Sequence, residues 1–143
     1  GILNKAMKSV SLHFPKLEVS LKVDQEAECI LADKDRMTQV FVNILENAAR
    51  YNDKEIPTCT VRSAKVDNSV VISFSDNGIG VSEKHLSKIF DSFYQVDMGS
   101  GRKVGGTGLG LAICRGIMAA HGGKIWAEQN PAGGTIFRIS LSL

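Results

Sequence analysis

The residues able to do chemistry gather in a few short clusters. Asn43 and Asn47 lie in the stretch N-I-L-E-N-A-A-R-Y, which ends on Arg50 and Tyr51. On a helix, positions i and i+4 sit one above the other, so the two amides share a face. Asparagine is a poor helix former, so propensity does not account for the pair; a solvated polar face is the plain alternative. Asp76-Asn77-Gly78-Ile79-Gly80 follows a strand-like run. A carboxylate there can accept a hydrogen bond from an exocyclic amine, and glycines let a flat ring approach the backbone. D-N-G is also a common turn sequence. Next comes Phe90-Asp91-Ser92-Phe93, whose two aromatics can anchor the root of a loop. Gly105-Gly106-Thr107-Gly108-Leu109-Gly110-Leu111 stands before an apolar helical run. Free N–H groups at a helix start favour a phosphate. The stretch lacks the G-K-[ST] of a P-loop, and Ile113 breaks the dinucleotide fingerprint G-x-G-x-x-[GA]. Gly133-Gly134-Thr135 reads, taken alone, as a hairpin turn.

The elements that must hold these clusters follow from periodicity. Met37, Val40, Phe41, Ile44, Leu45 and Ala48 recur at helical spacing within Asp33 to Tyr51, with Asp33 as N-cap, so this central helix turns an apolar stripe to a core. Before it, Leu3, Met7, Val10 and Phe14 predict a short helix stopped at Pro15, and Leu17, Val19, Leu21 and Val23 a strand. Cys29 to Leu31 suggests a further extended piece. Cys59 and Val61, the turn Asp67-Asn68, and Val70, Ile72 and Phe74 make an antiparallel hairpin. Ser82 is expected to cap a short helix bearing Leu86, Ile89, Phe90 and Phe93. From Tyr94 to Gly106 periodicity is lost. A helix opening at Thr107 is apolar nearly all round and should be well buried. Gly122-Gly123 ends it. Ile125 to Glu128 and Thr135 to Leu143 are strands about a turn. The fold class is a two-layer α/β sandwich in one domain, residues 1–143, with a mixed, mainly antiparallel sheet of about five strands and about three helices on one face.

Composition excludes several classes. The chain is 43% hydrophobic and 22% charged, with formal net charge +2. Its basic residues are scattered, which predicts no nucleic-acid partner. No apolar run is long enough to span a bilayer, and no secretory signal opens the chain. Cys29, Cys59 and Cys114 are far apart, which argues against zinc and a disulfide framework and for buried free thiols. His13, His85 and His121 are isolated, and no serine lies in a G-x-S-x-G elbow.

The order of the clusters is the specific signal. An amide-bearing helix, D-x-G-x-G, an aromatic pair, a loose loop, G-x-G-x-G and G-G-T resemble the ATP-binding catalytic (Bergerat-type) domain of bacterial two-component sensor histidine kinases. That family also holds DNA gyrase, the heat-shock chaperone ATPases and the mismatch-repair ATPases. Asn43 to Tyr51 matches the N box, Asp76 to Gly80 the first glycine box and Phe90 to Phe93 the F box. Gly106 to Leu111 matches the second glycine box and Gly133 to Thr135 the last.

The resemblance implies roles residue by residue. Asn47 would hold a Mg²⁺ ion bridging the phosphates, with Asn43 assisting, and Arg50 would touch the phosphates. Tyr51 would lie against adenine or ribose. Asp76 would accept from the adenine amino group, with Gly78, Ile79 and Gly80 beside the base and Thr135 supporting Asp76. Phe90 and Phe93 would flank residues 94–106, the ATP lid, from which Arg102 or Lys103 would reach the γ-phosphate. Gly106, Thr107, Gly108, Leu109, Gly110 and Leu111 would form the phosphate cradle. Hydrolytic members carry a Glu where this chain has Asn43. An amide takes no proton, and Glu46 points elsewhere on the helix. The chain should therefore transfer phosphate and hydrolyse ATP poorly. A conformational ATPase switch and a non-catalytic nucleotide-binding module are the alternatives. No histidine is followed by the acidic residue and proline that mark a phosphoacceptor. The resemblance thus implies a cytoplasmic catalytic fragment, monomeric alone, of a parent kinase with or without a membrane anchor. Its partners would be a separate helical dimerisation domain bearing the histidine and, indirectly, a response regulator.

Overall fold

The computed structural model describes residues 2–22, 34–92, 94 and 110–142. Helix α1 (Ile2–His13) leads to strand β1 (Glu18–Lys22) and helix α2 (Lys34–Arg50). Strands β2 (Thr58–Val66) and β3 (Ser69–Asp76) follow, then a 3₁₀ turn (Glu83–His85), helix α3 (Gly110–Ala120), and strands β4 (Lys124–Gln129) and β5 (Thr135–Ser142). The expected piece at Cys29 to Leu31 and the N-cap Asp33 lie outside the described residues.

The sheet runs β1-β2-β3-β5-β4, with β1 parallel to β2 and every other pairing antiparallel. Alternation decides which face each side chain takes. In β3, Val70, Ile72, Phe74 and Asp76 are buried, and in β5 Thr135, Phe137, Ile139 and Leu141 are. Among the described residues, helices α2 and α3 pack over this face, and α1 packs against α2. The six apolar residues expected to stripe α2 are its buried residues. Phe41 meets Phe74 edge-on, with ring centroids 5.4 Å apart. Such a pair adds about 0.5–1.5 kcal/mol beyond burial of its area. Helix α1 lays Ala6 and Val10 into the core against α2 and ends where Phe14 N–H reaches the Val10 carbonyl, one residue before Pro15.

Two expectations are corrected. The segment after Ser82 is a single 3₁₀ turn followed by further turns, and the Ser82 side chain makes no capping bond. Ile89 and Phe90 are nevertheless buried from it. Helix α3 is not buried all round: Cys114, Ile117 and Met118 face the core, while Ile113 is 41% exposed. It ends as the Gly123 N–H returns to the Met118 carbonyl and the Gly122 N–H to Ala119, the two bonds of a Schellman cap. Among the described residues no helix is long and apolar enough to cross a membrane.

Candidate functional site

An unbroken run of hydrogen bonds joins four of the sequence clusters at the C-terminal half of α2. Asn43 Nδ2 donates to the Gly110 carbonyl at the start of α3, 3.2 Å away. Asn47 Nδ2 donates to the Asn43 carbonyl at 3.0 Å. Tyr51 N–H donates to the Asn47 carbonyl, and Ile79 N–H to the Tyr51 carbonyl, each at 3.0 Å. One bend further, Asp76 Oδ1 accepts from Gly78 N–H at 2.9 Å and Thr135 N–H at 3.0 Å. Gly110 at the end of the second glycine box, the N box, the first glycine box and the G-G-T turn therefore converge on one region.

Asp76 is the electrostatic centre of that region. It is only 7% exposed, so burial raises its pKa above the ordinary carboxylate value; the N–H groups of Thr135 and Gly78 pull it partly back. Both bonds fall on Oδ1. Oδ2 is left as the acceptor a ligand can use, since a carboxylate offers two oxygens. Thr135 supports Asp76 through its main chain rather than through its hydroxyl. The glycines beside Asp76 serve close backbone approach. A Cβ on Gly78 would stand 2.4 Å from the Tyr51 carbonyl oxygen. One on Gly134, whose φ is +91°, would stand 2.2 Å from the Asp76 carbonyl oxygen.

The other expected residues divide into three groups. Tyr51 is half-buried beside the Asp76 loop, and burial raises its phenol pKa, offset in part by Arg50. Gly80 and the 44%-exposed Ile79 line a groove of about 540 Å³ with Gln129, Asn130 and Gly134. Arg50 lies over the Phe14 ring, its guanidinium carbon 5.6 Å from the centroid, a cation–π contact with the segment after α1. Phe90 is buried edge-on against Phe137. Leu111 likewise packs on the core. Phe93, Arg102, Lys103, Gly106, Thr107, Gly108 and Leu109 lie outside the described residues. Of the residues expected at the loop itself, Tyr94 is described, and it hydrogen-bonds His85.

Sequence reasoning missed three asparagines. Asn77 and Asn52 bond to each other, and Asn130 Nδ2 donates to the Asp76 carbonyl at 3.3 Å. The D-N-G turn signal marked Asn77, but nothing local distinguished a turn residue from a long-range one. Cys59 and Cys114 are buried free thiols as expected. Burial pushes Cys114 up to about 12 and Cys59 higher still, so neither is a thiolate at neutral pH.

Comparison with known proteins agrees with this geometry. The family of histidine kinase-, DNA gyrase B-, and HSP90-like ATPases matches residues 32–143. Sensor protein kinase WalK of Staphylococcus aureus is 46% identical over 111 residues, covering 76% of this chain and 26% of that protein. In strain Newman the same similarity covers 18% of the relative. The chain thus spans about a quarter or less of the length of these kinases. Among solved structures, the catalytic domain of histidine kinase ThkA is 29% identical, with TM-score 0.73 over 98% of this chain and 93% of that one. Full-length ShkA in complex with AMPPNP is 26% identical, with TM-score 0.77 over 99% of this chain and 30% of that one. The mycobacterial sensor histidine kinase MprB shares the fold, with TM-score 0.85 at 23% identity over 99% of this chain and 93% of that one. This chain therefore belongs to the family of histidine kinase-, DNA gyrase B- and HSP90-like ATPases, and within it to the catalytic ATP-binding domains of sensor histidine kinases.

Proposed function

We propose that the chain forms one ATP-binding domain that takes ATP with Mg²⁺ and donates the γ-phosphate to a histidine on a separate helical domain of its parent kinase, in the cytoplasm. What supports this reading is the run of hydrogen bonds from Gly110 through Asn43, Asn47 and Tyr51 to the Asp76 loop. It sets a phosphate-side amide and a base-side carboxylate along one wall.

At the base end, the free Asp76 oxygen accepts from the adenine amino group, which guanine lacks at that position. The half-buried Tyr51 ring flanks the base. At the phosphate end, Asn47 spends its Nδ2 on the Asn43 carbonyl, which leaves Oδ1, a hard oxygen of the kind Mg²⁺ takes, as its free polar atom. Among the described residues no three His, Cys, Asp or Glu side chains cluster as a metal site. Asn47 Oδ1 would thus be the protein oxygen offered to Mg²⁺, an ion that dehydrates reluctantly and needs few protein ligands. When bound, Mg²⁺ supplies charge neutralisation to the phosphates. The chain's own residues position: Asn47 orients, Asn43 ties α2 to the start of α3, and Asp76 fixes the base. Asn43 is occupied by Gly110 and has no proton-accepting group, so water is not activated and hydrolysis stays slow.

Titration with ATP, with and without Mg²⁺, tests the assignment. Wild type should bind more tightly with Mg²⁺, and Asn47→Ala should lose most of that difference. Equal Mg²⁺ dependence in both would overturn the role of Asn47, and absence of binding by wild type would overturn the function.

A further inference from the structure

We infer that Asn77 is a positioning residue for base selection, a role that rests on the nucleotide-binding reading and extends it. Its side chain does not serve its own turn. The local bond of the D-N-G turn is made by Asp76, whose Oδ1 accepts from Gly78 N–H. Asn77 reaches back instead to the loop between α2 and β2. Its Oδ1 accepts from Asn52 Nδ2 at 2.7 Å and from Thr58 N–H at 2.8 Å. Its Nδ2 donates to the Ile56 carbonyl at 3.1 Å. Its backbone N–H donates to the Thr58 carbonyl at 3.3 Å. Both lone pairs of the amide oxygen are thus in use. Asn52 is itself oriented, since its Oδ1 accepts from Lys54 N–H at 2.9 Å.

These bonds couple the two ends of the site. The loop that Asn77 holds begins at Tyr51, on the α2 end that carries Asn47 and Arg50. The residue next to Asn77 is Asp76. One further bond, Ile79 N–H to the Tyr51 carbonyl, closes the same seam from the other side. Asn77 therefore sets where the Asp76 acceptor stands relative to Tyr51 and α2, and so whether it meets the adenine amino group. A hydrogen bond to a carboxylate is directional, and a displaced acceptor loses preference for adenine before it loses the phosphates.

A double-mutant cycle with ATP and GTP as probes tests the inference, with thermal unfolding as the folding control. Asn77→Ala should weaken ATP binding by about tenfold, the worth of one net hydrogen bond, and change GTP binding by less than about twofold. In an Asp76→Asn background, where the acceptor is already gone, Asn77→Ala should change ATP binding by less than about twofold. Asn77→Asp keeps the Oδ1 acceptor but sets an oxygen against the Ile56 carbonyl, and should show an ATP-selective loss no larger than that of Asn77→Ala. Should Asn77→Ala fail to fold, Asn52→Ala deletes one link and should show a smaller ATP-selective loss with the same dependence on Asp76. Equal losses for ATP and GTP, or losses that simply multiply in the double mutant, would overturn the inference while leaving the function standing. A wild-type chain that binds no nucleotide would overturn both.

Discussion

Replacing Asp76 by Asn separates recognition from folding. Asp76 is 7% exposed, and its Oδ1 takes two backbone N–H bonds, from Gly78 at 2.9 Å and Thr135 at 3.0 Å. Asparagine keeps a carbonyl oxygen for both, so the loop has no reason to move. It also removes a charge that burial disfavours. The thermal midpoint of Asp76→Asn should therefore be equal to or above that of wild type. At the ligand end, an NH₂ replaces the free carboxylate oxygen and faces the adenine amino group, donor against donor. Losing a hydrogen bond to a charged acceptor costs about 1.5–3 kcal/mol, or roughly ten- to hundred-fold in affinity for ATP. The pH dependence carries the same signature. Burial raises the folded pKa of Asp76 above its ordinary value of 3.8. Its contribution to stability is therefore fully present below the unfolded pKa and is lost as pH rises through the folded one. Adenine binding runs the other way, because it needs the ionised form: it weakens as pH falls through a value above 3.8. Calorimetric titration across the acid range should show this weakening in wild type, over and above the nucleotide's own titration, and only the nucleotide's own titration in Asp76→Asn. Equal affinities for ATP, or identical pH profiles, would refute the reasoning.

Two further outcomes follow from the packing. Gly78→Ala would place a Cβ 2.4 Å from the Tyr51 carbonyl oxygen, a main-chain atom that cannot swing aside. It should cost about 1–3 kcal/mol in denaturant unfolding, and an unchanged midpoint would contradict the close approach. In a Cys29→Ser background, Cys59 and Cys114 are both buried, with pKa values raised by that burial. They should resist alkylation near neutral pH until the chain unfolds; rapid labelling of the native chain would contradict their burial.

How much of this was legible before the structure depends on range. The stripe of α2, from Met37 to Ala48, needed only the helical period and buries as read. Strands β3 and β5 alternate so regularly that their core faces followed directly. Strand direction did not: β1 alternates like its neighbours, and alternation is blind to whether a partner runs parallel, as β2 does. Helix α3 looked buried because its residues are apolar on most sides, but only its Cys114, Ile117 and Met118 side meets the core, and Ile113 faces out. Long-range polar contacts were the least visible. The bonds from Asn77 span 19 to 25 residues, and no local pattern encodes them. Thr135 was expected to support Asp76, and the group that reaches the carboxylate is its N–H, which every residue but proline carries. The contact of Arg50 with the Phe14 ring was equally invisible, since 36 residues separate the two and no spacing rule links them.

Transfer of labelled phosphate tests the central claim most directly. The chain is mixed with the separately produced helical domain of its parent, Mg²⁺ and ATP labelled at the γ-position. Label should appear on the helical domain as acid-labile, base-stable phosphohistidine, and none on the chain itself. ATP bound tightly with no phosphohistidine formed, or steady turnover to ADP at about 1 s⁻¹ or faster without the helical domain, would contradict it.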